Sequence, residues 1–306
     1  MSLAARLRDG DLTAAPEVLN LVESRTRRDE SAALLTALGT EAGAHIVGVT
    51  GPPGAGKSTL LSALTQEWRK RERSVAVLAV DPSSKRSGGA LLGDRARIAT
   101  DPRDRAVFIR SMAAGERLGG LAPATRAAAQ ALAHAFDVVV IETVGVGQSE
   151  TDVADTADTV AVIVQPGSGD ALQFLKAGIM EIPDVLVVTK ADLGQVANRA
   201  RRDLHAALRS IGARDTPVVA VSSVPPARGI EALADALEAH RTRLDLPAAR
   251  LDARRAGALA DFIAERGEAG LRRLGGRRAA QRFLDATEPG ASEPELVEAL
   301  QALADG

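Results

Sequence analysis

From residue 45 onward the chain carries seven short apolar runs: HIVGVT, SVAVLAVD, RAVFIR, FDVVVIE, DTVAVIVQ, DVLVVTK and TPVVAVSS. None alternates cleanly between polar and apolar residues. A strand with one wet face alternates, and a strand rich in continuous valine and isoleucine is covered on both faces. Stretches of helical period lie between most of the runs, as at 57–70, 121–134, 194–210 and 229–242. This pattern predicts an α/β fold with a doubly wound, mostly parallel sheet. Residues 1–44 are rich in alanine and leucine and predict an N-terminal extension of two short helices, with Val18, Leu19, Val22, Leu34, Leu35 and Leu38 on their apolar faces. Beyond Pro247 the strands stop. Residues 248–275 read as one amphipathic helix through Leu251, Leu259, Phe262, Ile263 and Leu271. A Gly275-Gly276 break, a basic helix and a last helix at 293–304 follow. The expected division is 1–44, 45–245 and 246–306.

Composition narrows the function. The 306 residues include no cysteine, which excludes disulfides, thiolate metal sites and cysteine catalysis. The net charge is −2, so bulk electrostatics favour neither nucleic acid nor an anionic membrane. Aromatic residues make up 2% of the chain, too few for a platform on which bases stack. No apolar stretch approaches the ~20 residues of a membrane span, and the first residues lack a signal-type apolar core. A cytoplasmic protein is expected. Of the 38 basic residues only Lys57, Lys70, Lys85, Lys176 and Lys190 are lysine. Where arginine serves as the general cation, a retained lysine points to a need for a compact, rotatable ammonium.

The first run leads into Gly51-Pro52-Pro53-Gly54-Ala55-Gly56-Lys57-Ser58-Thr59 and then into a helical stretch. This is G-x-x-x-x-G-K-[ST] between a strand and a helix, the setting the motif requires. Glycines allow the backbone to wrap a phosphate with its N–H groups, and the helix N-terminus adds its dipole. Lys57 would reach the β- and γ-phosphates, and the Ser58 hydroxyl would ligate Mg²⁺. Two further runs end in acids, Asp81 and Glu142. A carboxylate at the tip of a buried strand is costly unless a cation or donors meet it, and Mg²⁺ at the phosphates would do so. The alternative for each is a turn or helix-cap role. Glu142 and Gly145 form an acid-x-x-Gly unit whose glycine amide suits a γ-phosphate contact.

The run at 184–188 ends in Thr189-Lys190-Ala191-Asp192. An aspartate here can accept from guanine N1–H and the 2-amino group, whereas adenine would leave it unpaired. Lys190 can lay its stem along the base. Thr189 stands where many GTPases carry asparagine. Ser222, Ser223 and Val224 follow the last run and are placed for backbone contacts to a base.

The ordered blocks GPPGAGKST, DPSSKRSGGALLGDRARI, ETVGVGQSE and QPGSGDALQFLKAGIMEIPDVLVVTKADL resemble the MeaB-type G proteins, close relatives of the human methylmalonic aciduria type A protein. With the helical tail, the resemblance runs over about residues 15–275. It implies a P-loop GTPase of the metallochaperone branch, using GTP/GDP and Mg²⁺, that gates adenosylcobalamin delivery to methylmalonyl-CoA mutase or a related acyl-CoA mutase. It implies a catalytic set of Lys57, Asp94, Glu142 and Gly145. It implies metal duty for Ser58, Asp81, Asp94 and Glu142. Residues 166–181, with Gln173 and Lys176, match a third switch that senses the mutase. The resemblance also implies a homodimer held by the C-terminal arm. Arg86, Arg95 and Arg97 lie near the first switch, but no built-in arginine finger is evident, so low intrinsic turnover is expected. Two rivals remain. A nickel-insertion GTPase would want cysteine and histidine clusters, and the four histidines here are scattered. A P-loop kinase or ATPase of basic amino-acid transport would need an adenine site, against which Asp192 argues.

Overall fold

The computed structural model describes residues 1–24, 26–81, 98–113, 123–143, 153–167 and 183–306. The seven described strands are β1 (His45–Thr50), β2 (Val75–Asp81), β3 (Val107–Ala113), β4 (Val138–Glu142), β5 (Thr159–Val164), β6 (Val185–Val188) and β7 (Val218–Ala220). Each predicted run supplies one of them. In chain order the described helices are α1 (Leu3–Arg8), α2 (Ala15–Val22), α3 (Arg28–Leu38), α4 (Lys57–Lys70), α5 (Pro123–Leu132), α6 (Gln195–Ser210), α7 (Ile230–Arg241), α8 (Leu246–Arg273), α9 (Arg277–Asp285) and α10 (Glu293–Asp305). The chain divides into two compact units.

The sheet unit comprises His45–Ala122 and Phe136–Leu244. Its strands run in the order β3-β2-β4-β1-β5-β6-β7, and every pairing is parallel. Strands β1, β4, β5 and β6 are buried along their whole length, which is why their sequences do not alternate. Leu60, Leu61, Leu64 and Trp68 of α4 and Leu233 and Leu237 of α7 pack in one core with Val47, Val49, Val77, Val140, Ile163 and Val187. Gly48 points to the other face, and a Cβ there would lie 2.7 Å from Val153 Cγ2. The absent side chain lets the 153–157 segment seat on β1. In register, Val49 of β1 stands opposite Glu142 of β4, so the phosphate-loop strand and the acid-tipped strand end side by side.

The helical unit gathers Met1–Ala44, Pro123–Ala135 and Asp245–Gly306. The N-terminal stretch holds three helices rather than two. Asp11 breaks the first from the second, accepting from the Thr13 amide at 3.0 Å and starting a 3₁₀ turn at Leu12–Ala14. The helix expected over 248–275 is kinked at Gly267, whose φ of 61° and ψ of −166° leave the helical region. Its apolar stripe is covered within the unit. Ala258, Leu259, Phe262 and Leu271 share a core with Ala280 and Leu284 of α9 and Leu296 and Leu300 of α10. The expected homodimer therefore rests on the family resemblance and not on this stripe. Among the described residues, no helix is long and apolar enough to cross a membrane.

A buried ion cluster ties this unit together. Arg126 of α5 donates Nε to Glu293 of α10 at 3.1 Å and its terminal nitrogen to Asp261 of α8. Gln130 donates to the second Glu293 oxygen at 2.7 Å. Gly257 makes room, since a Cβ there would lie 2.8 Å from the Glu293 carboxylate. Burial pushes the Glu293 carboxyl above the ordinary range, and Arg126 pulls against it. Replacing Arg126 by methionine strands that charge and should cost about 3–5 kcal/mol near neutral pH. The group's folded pKa then lies further above its unfolded value, so the neutral acid is tolerated below the ordinary carboxylate range and stability falls as pH rises above it. Urea midpoints of Arg126→Met should therefore approach the parent's at pH 4.5 and fall well short at pH 7.5. A deficit independent of pH contradicts this.

Candidate functional site

The loop after β1 is shaped by three glycines, each required for its own reason. Gly51 has φ of 149°, and a Cβ on it would lie 2.5 Å from the Ile163 carbonyl oxygen of β5. No side chain fits against that fixed backbone. Gly54 and Gly56 have φ of 76° and 89°, in the left-handed region. Gly56 is the N-cap of α4 and offers no side chain to cover the helix start. The first N–H groups of a helix have no intrahelical partner and carry the positive end of its dipole, so this end is suited to an anion. Lys57 opens α4 and is 8% exposed. Its Nζ curls back to donate to the carbonyls of Gly51 at 2.8 Å and Pro52 at 3.2 Å. Pro53 and Thr59 lie at the surface, and Ala55 is buried.

Beside the loop, Ser58 Oγ donates to Glu142 Oε1 at 3.3 Å. Glu142 is 4% exposed at the tip of β4. A hydroxyl and a carboxylate are hard oxygen donors, the set Mg²⁺ accepts alongside phosphate oxygens and water. Thr50 closes β1 and Thr143 follows β4, and among the described residues their buried hydroxyls have no hydrogen-bond partner. Asp81 closes β2, which pairs with β4. Asp94, Gly145, Gln173 and Lys176 lie outside the described residues, as do Arg86, Arg95 and Arg97.

The base side is built by the end of β6. Thr189 is 3% exposed and donates its hydroxyl to the Ala55 carbonyl at 2.8 Å. Lys190, with φ of 51°, donates Nζ to the Gly54 carbonyl at 3.3 Å. Consecutive residues of the T-K-A-D stretch thus hold the phosphate loop. Asp192 lies exposed in a 3₁₀ turn, Ala191–Leu193, and its Oδ1 accepts from Ser222 Oγ at 2.9 Å. The Ala191 amide donates to the Val221 carbonyl at 3.0 Å. Ser222 is itself fixed, because its amide and carbonyl both pair with Arg228, at 3.0 and 2.9 Å. Ser223 is half-buried and Val224 is 61% exposed. The sequence marked Ser222 for a backbone contact, but its side chain aims the Asp192 carboxylate. The signal was a short hydroxyl residue two positions past the strand next to β6.

Among the described residues, no three His, Asp or Glu side chains come together as a metal cluster. His45 and His240, far apart in sequence, share one partner. His45 Nε2 and His240 Nδ1 lie 2.7 and 2.9 Å from the Thr159 hydroxyl, and His240 Nε2 lies 3.1 Å from Asp184. This chain joins the starts of β1 and β5, at the opposite end of the sheet from the loop.

The model of the family described as "Methylmalonyl Co-A mutase-associated GTPase MeaB" matches residues 15–269. A "Probable GTPase" of Mycobacterium tuberculosis is 44% identical over 264 residues, covering 83% of this chain and 78% of that protein. The mouse "Methylmalonic aciduria type A homolog, mitochondrial" is 44% identical over 160 residues, 51% of this chain and 38% of that protein. The crystal structure of an LAO/AO transport system kinase superposes with a TM-score of 0.66 at 28% identity, covering 99% of this chain and 97% of that one.

The glycines make a graded prediction. Gly54→Ala meets only its left-handed φ and should cost about 1–2 kcal/mol. Gly51→Ala also meets the Ile163 backbone and should cost about 1–3 kcal/mol more. Denaturation midpoints should rank parent, Gly54→Ala, Gly51→Ala, and the reverse order for the two variants would refute the packing argument.

Proposed function

Because the chain belongs to the MeaB family of methylmalonyl-CoA mutase-associated GTPases, we propose that it binds and hydrolyses GTP and chaperones a cobalamin enzyme. In this reading it gates adenosylcobalamin loading of methylmalonyl-CoA mutase, or a related acyl-CoA mutase, and protects the loaded enzyme. One observation carries the nucleotide half: a single loop is held on one side by its own Lys57 and on the other by Thr189 and Lys190, with Asp192 two residues further on. Phosphate cradle and base selector are thus one hydrogen-bonded assembly.

Roles follow from the chemistry of each group. Backbone N–H groups of residues 51–59, prolines 52 and 53 excepted, wrap the phosphates. Lys57 trades loop carbonyls for phosphate oxygens, which as anions are the stronger acceptors. Ser58, Asp81, Asp94 and Glu142 hold Mg²⁺, and the Gly145 amide meets the γ-phosphate. When bound, Mg²⁺ neutralises charge that develops between the β- and γ-phosphates. Asp192, aimed by Ser222, selects guanine. Residues 166–181 sense the mutase, with Gln173 and Lys176 among them. Turnover is slow until the mutase orders the switches, since binding energy can favour only a state it contacts differently. Residues 45–245 carry this chemistry, with the helices of 1–44 outside it, and 246–306 hold two copies together.

The likeness to a structure described as a transport-system kinase keeps ATP as a second candidate. Phosphate release separates the two. GTP should be hydrolysed and ATP about 10²-fold less efficiently, because adenine leaves the Asp192 carboxylate unpaired. Lys57→Ala should lower the GTP rate by roughly 10²-fold or more. In single-turnover assays, a cobalamin-dependent mutase should raise the GTP rate, and a rate indifferent to every such mutase tested would sink the gating role.

A further inference from the structure

A purine that turns its N1 and 2-amino edge to Asp192 turns its N7 edge back toward the phosphate loop, where Thr189 stands. Resting on the guanine reading above, we propose that Thr189 leaves N7 unread, so that this chain recognises its base through the Asp192 edge alone. A hydroxyl has one proton to give. That of Thr189 lies 2.8 Å from the Ala55 carbonyl oxygen, and the next acceptor, the Val164 carbonyl, lies at 3.4 Å. Both are acceptors only, so the proton points into the protein. What Thr189 can show a ligand is lone pairs, and N7 is itself an acceptor. Two acceptors gain nothing from each other. Turning the proton toward N7 would strip the Ala55 carbonyl, in a residue with no exposed surface, of this bond. Lys190, the neighbouring cation, has its ammonium on the Gly54 carbonyl of the same loop.

Asparagine at 189 would act differently. Its amide carries two N–H donors, one for the Ala55 carbonyl and one to spare for N7. Threonine therefore fixes the loop as asparagine would but gives up one contact to the base. The burden falls on Asp192, which Ser222 already holds by one oxygen at 2.9 Å. A carboxylate has about four lone-pair sites, enough to keep that bond and meet N1–H and the 2-amino group.

Calorimetry on the full chain with Mg²⁺ tests this through four diphosphates: GDP, 7-deaza-GDP (a C–H in place of N7), IDP (no 2-amino group) and ADP. The parent protein should bind 7-deaza-GDP within about twofold of GDP, and IDP about five- to tenfold more weakly. Thr189→Asn should bind GDP about two- to tenfold more tightly than 7-deaza-GDP. A fivefold or greater loss with 7-deaza-GDP in the parent overturns the inference. No preference for GDP over 7-deaza-GDP in Thr189→Asn overturns the placement of residue 189 at N7. Should that variant not fold, the parent comparison decides alone. ADP or IDP bound as tightly as GDP would instead sink the guanine reading, and this inference with it.

Discussion

A loop that turns its N–H groups inward to hold a phosphate must turn its carbonyls outward, and those carbonyls need donors of their own. In this chain four of them are met by side chains of the site. Lys57 takes the carbonyls of Gly51 and Pro52, Lys190 takes Gly54, and Thr189 takes Ala55. The requirement explains why the T-K-A-D stretch sits where it does. Its first two residues complete the cradle's backbone accounting, and only its last is free to face a base. A change at Thr189 or Lys190 thus reaches the phosphate side of the site as well as the base side.

Much of this was readable because it is local. A strand covered on both faces shows no alternation, whichever strands flank it, so β1, β4, β5 and β6 announce themselves in the sequence. The loop is read from nine consecutive residues. The partner of Ser58 was readable only as a type, an acid at a strand tip. That Glu142 and not another acid stands beside Ser58 follows from strand order, because β4 pairs with β1 and Glu142 falls in register with Val49. Pairing of residues 93 apart in the chain leaves no mark on either strand alone. The link from Ser222 to Asp192 is of the same kind, set by β7 lying next to β6.

Contacts that depend on distant stretches of chain were not legible. In sequence Arg126 falls between β3 and β4, yet it clusters with helices from both ends of the chain and pairs with Glu293, 167 residues away. A helix-spaced arginine in sequence looks like a solvated one, and only the position of a buried acid makes it structural. The histidines repeat the lesson. Read singly, His45 and His240 are scattered titratable groups, whereas in the fold one threonine hydroxyl joins them. Gly267 is a third case. One glycine of three in an apolar helical pattern is as compatible with a straight helix as with the kink that Gly267 makes in α8.

The scarcity of lysine acquires a physical meaning at the loop. Lys57 meets two carbonyls of one tight turn, at 2.8 and 3.2 Å, from inside the protein. An ammonium can do this because its donors point in three directions and it needs little room, whereas a guanidinium demands acceptors in its own plane and would fill the cradle. Lys190 adds a donor to one further carbonyl of the same loop, that of Gly54. Lys70, by contrast, is an exposed partner of Glu67 at 3.3 Å, a position where arginine would serve as well. So the rarity of the residue is not itself a marker of function. What discriminates is the shape of the acceptor: convergent backbone carbonyls in a confined turn admit the smaller cation only, and in this chain they are the carbonyls of the phosphate loop.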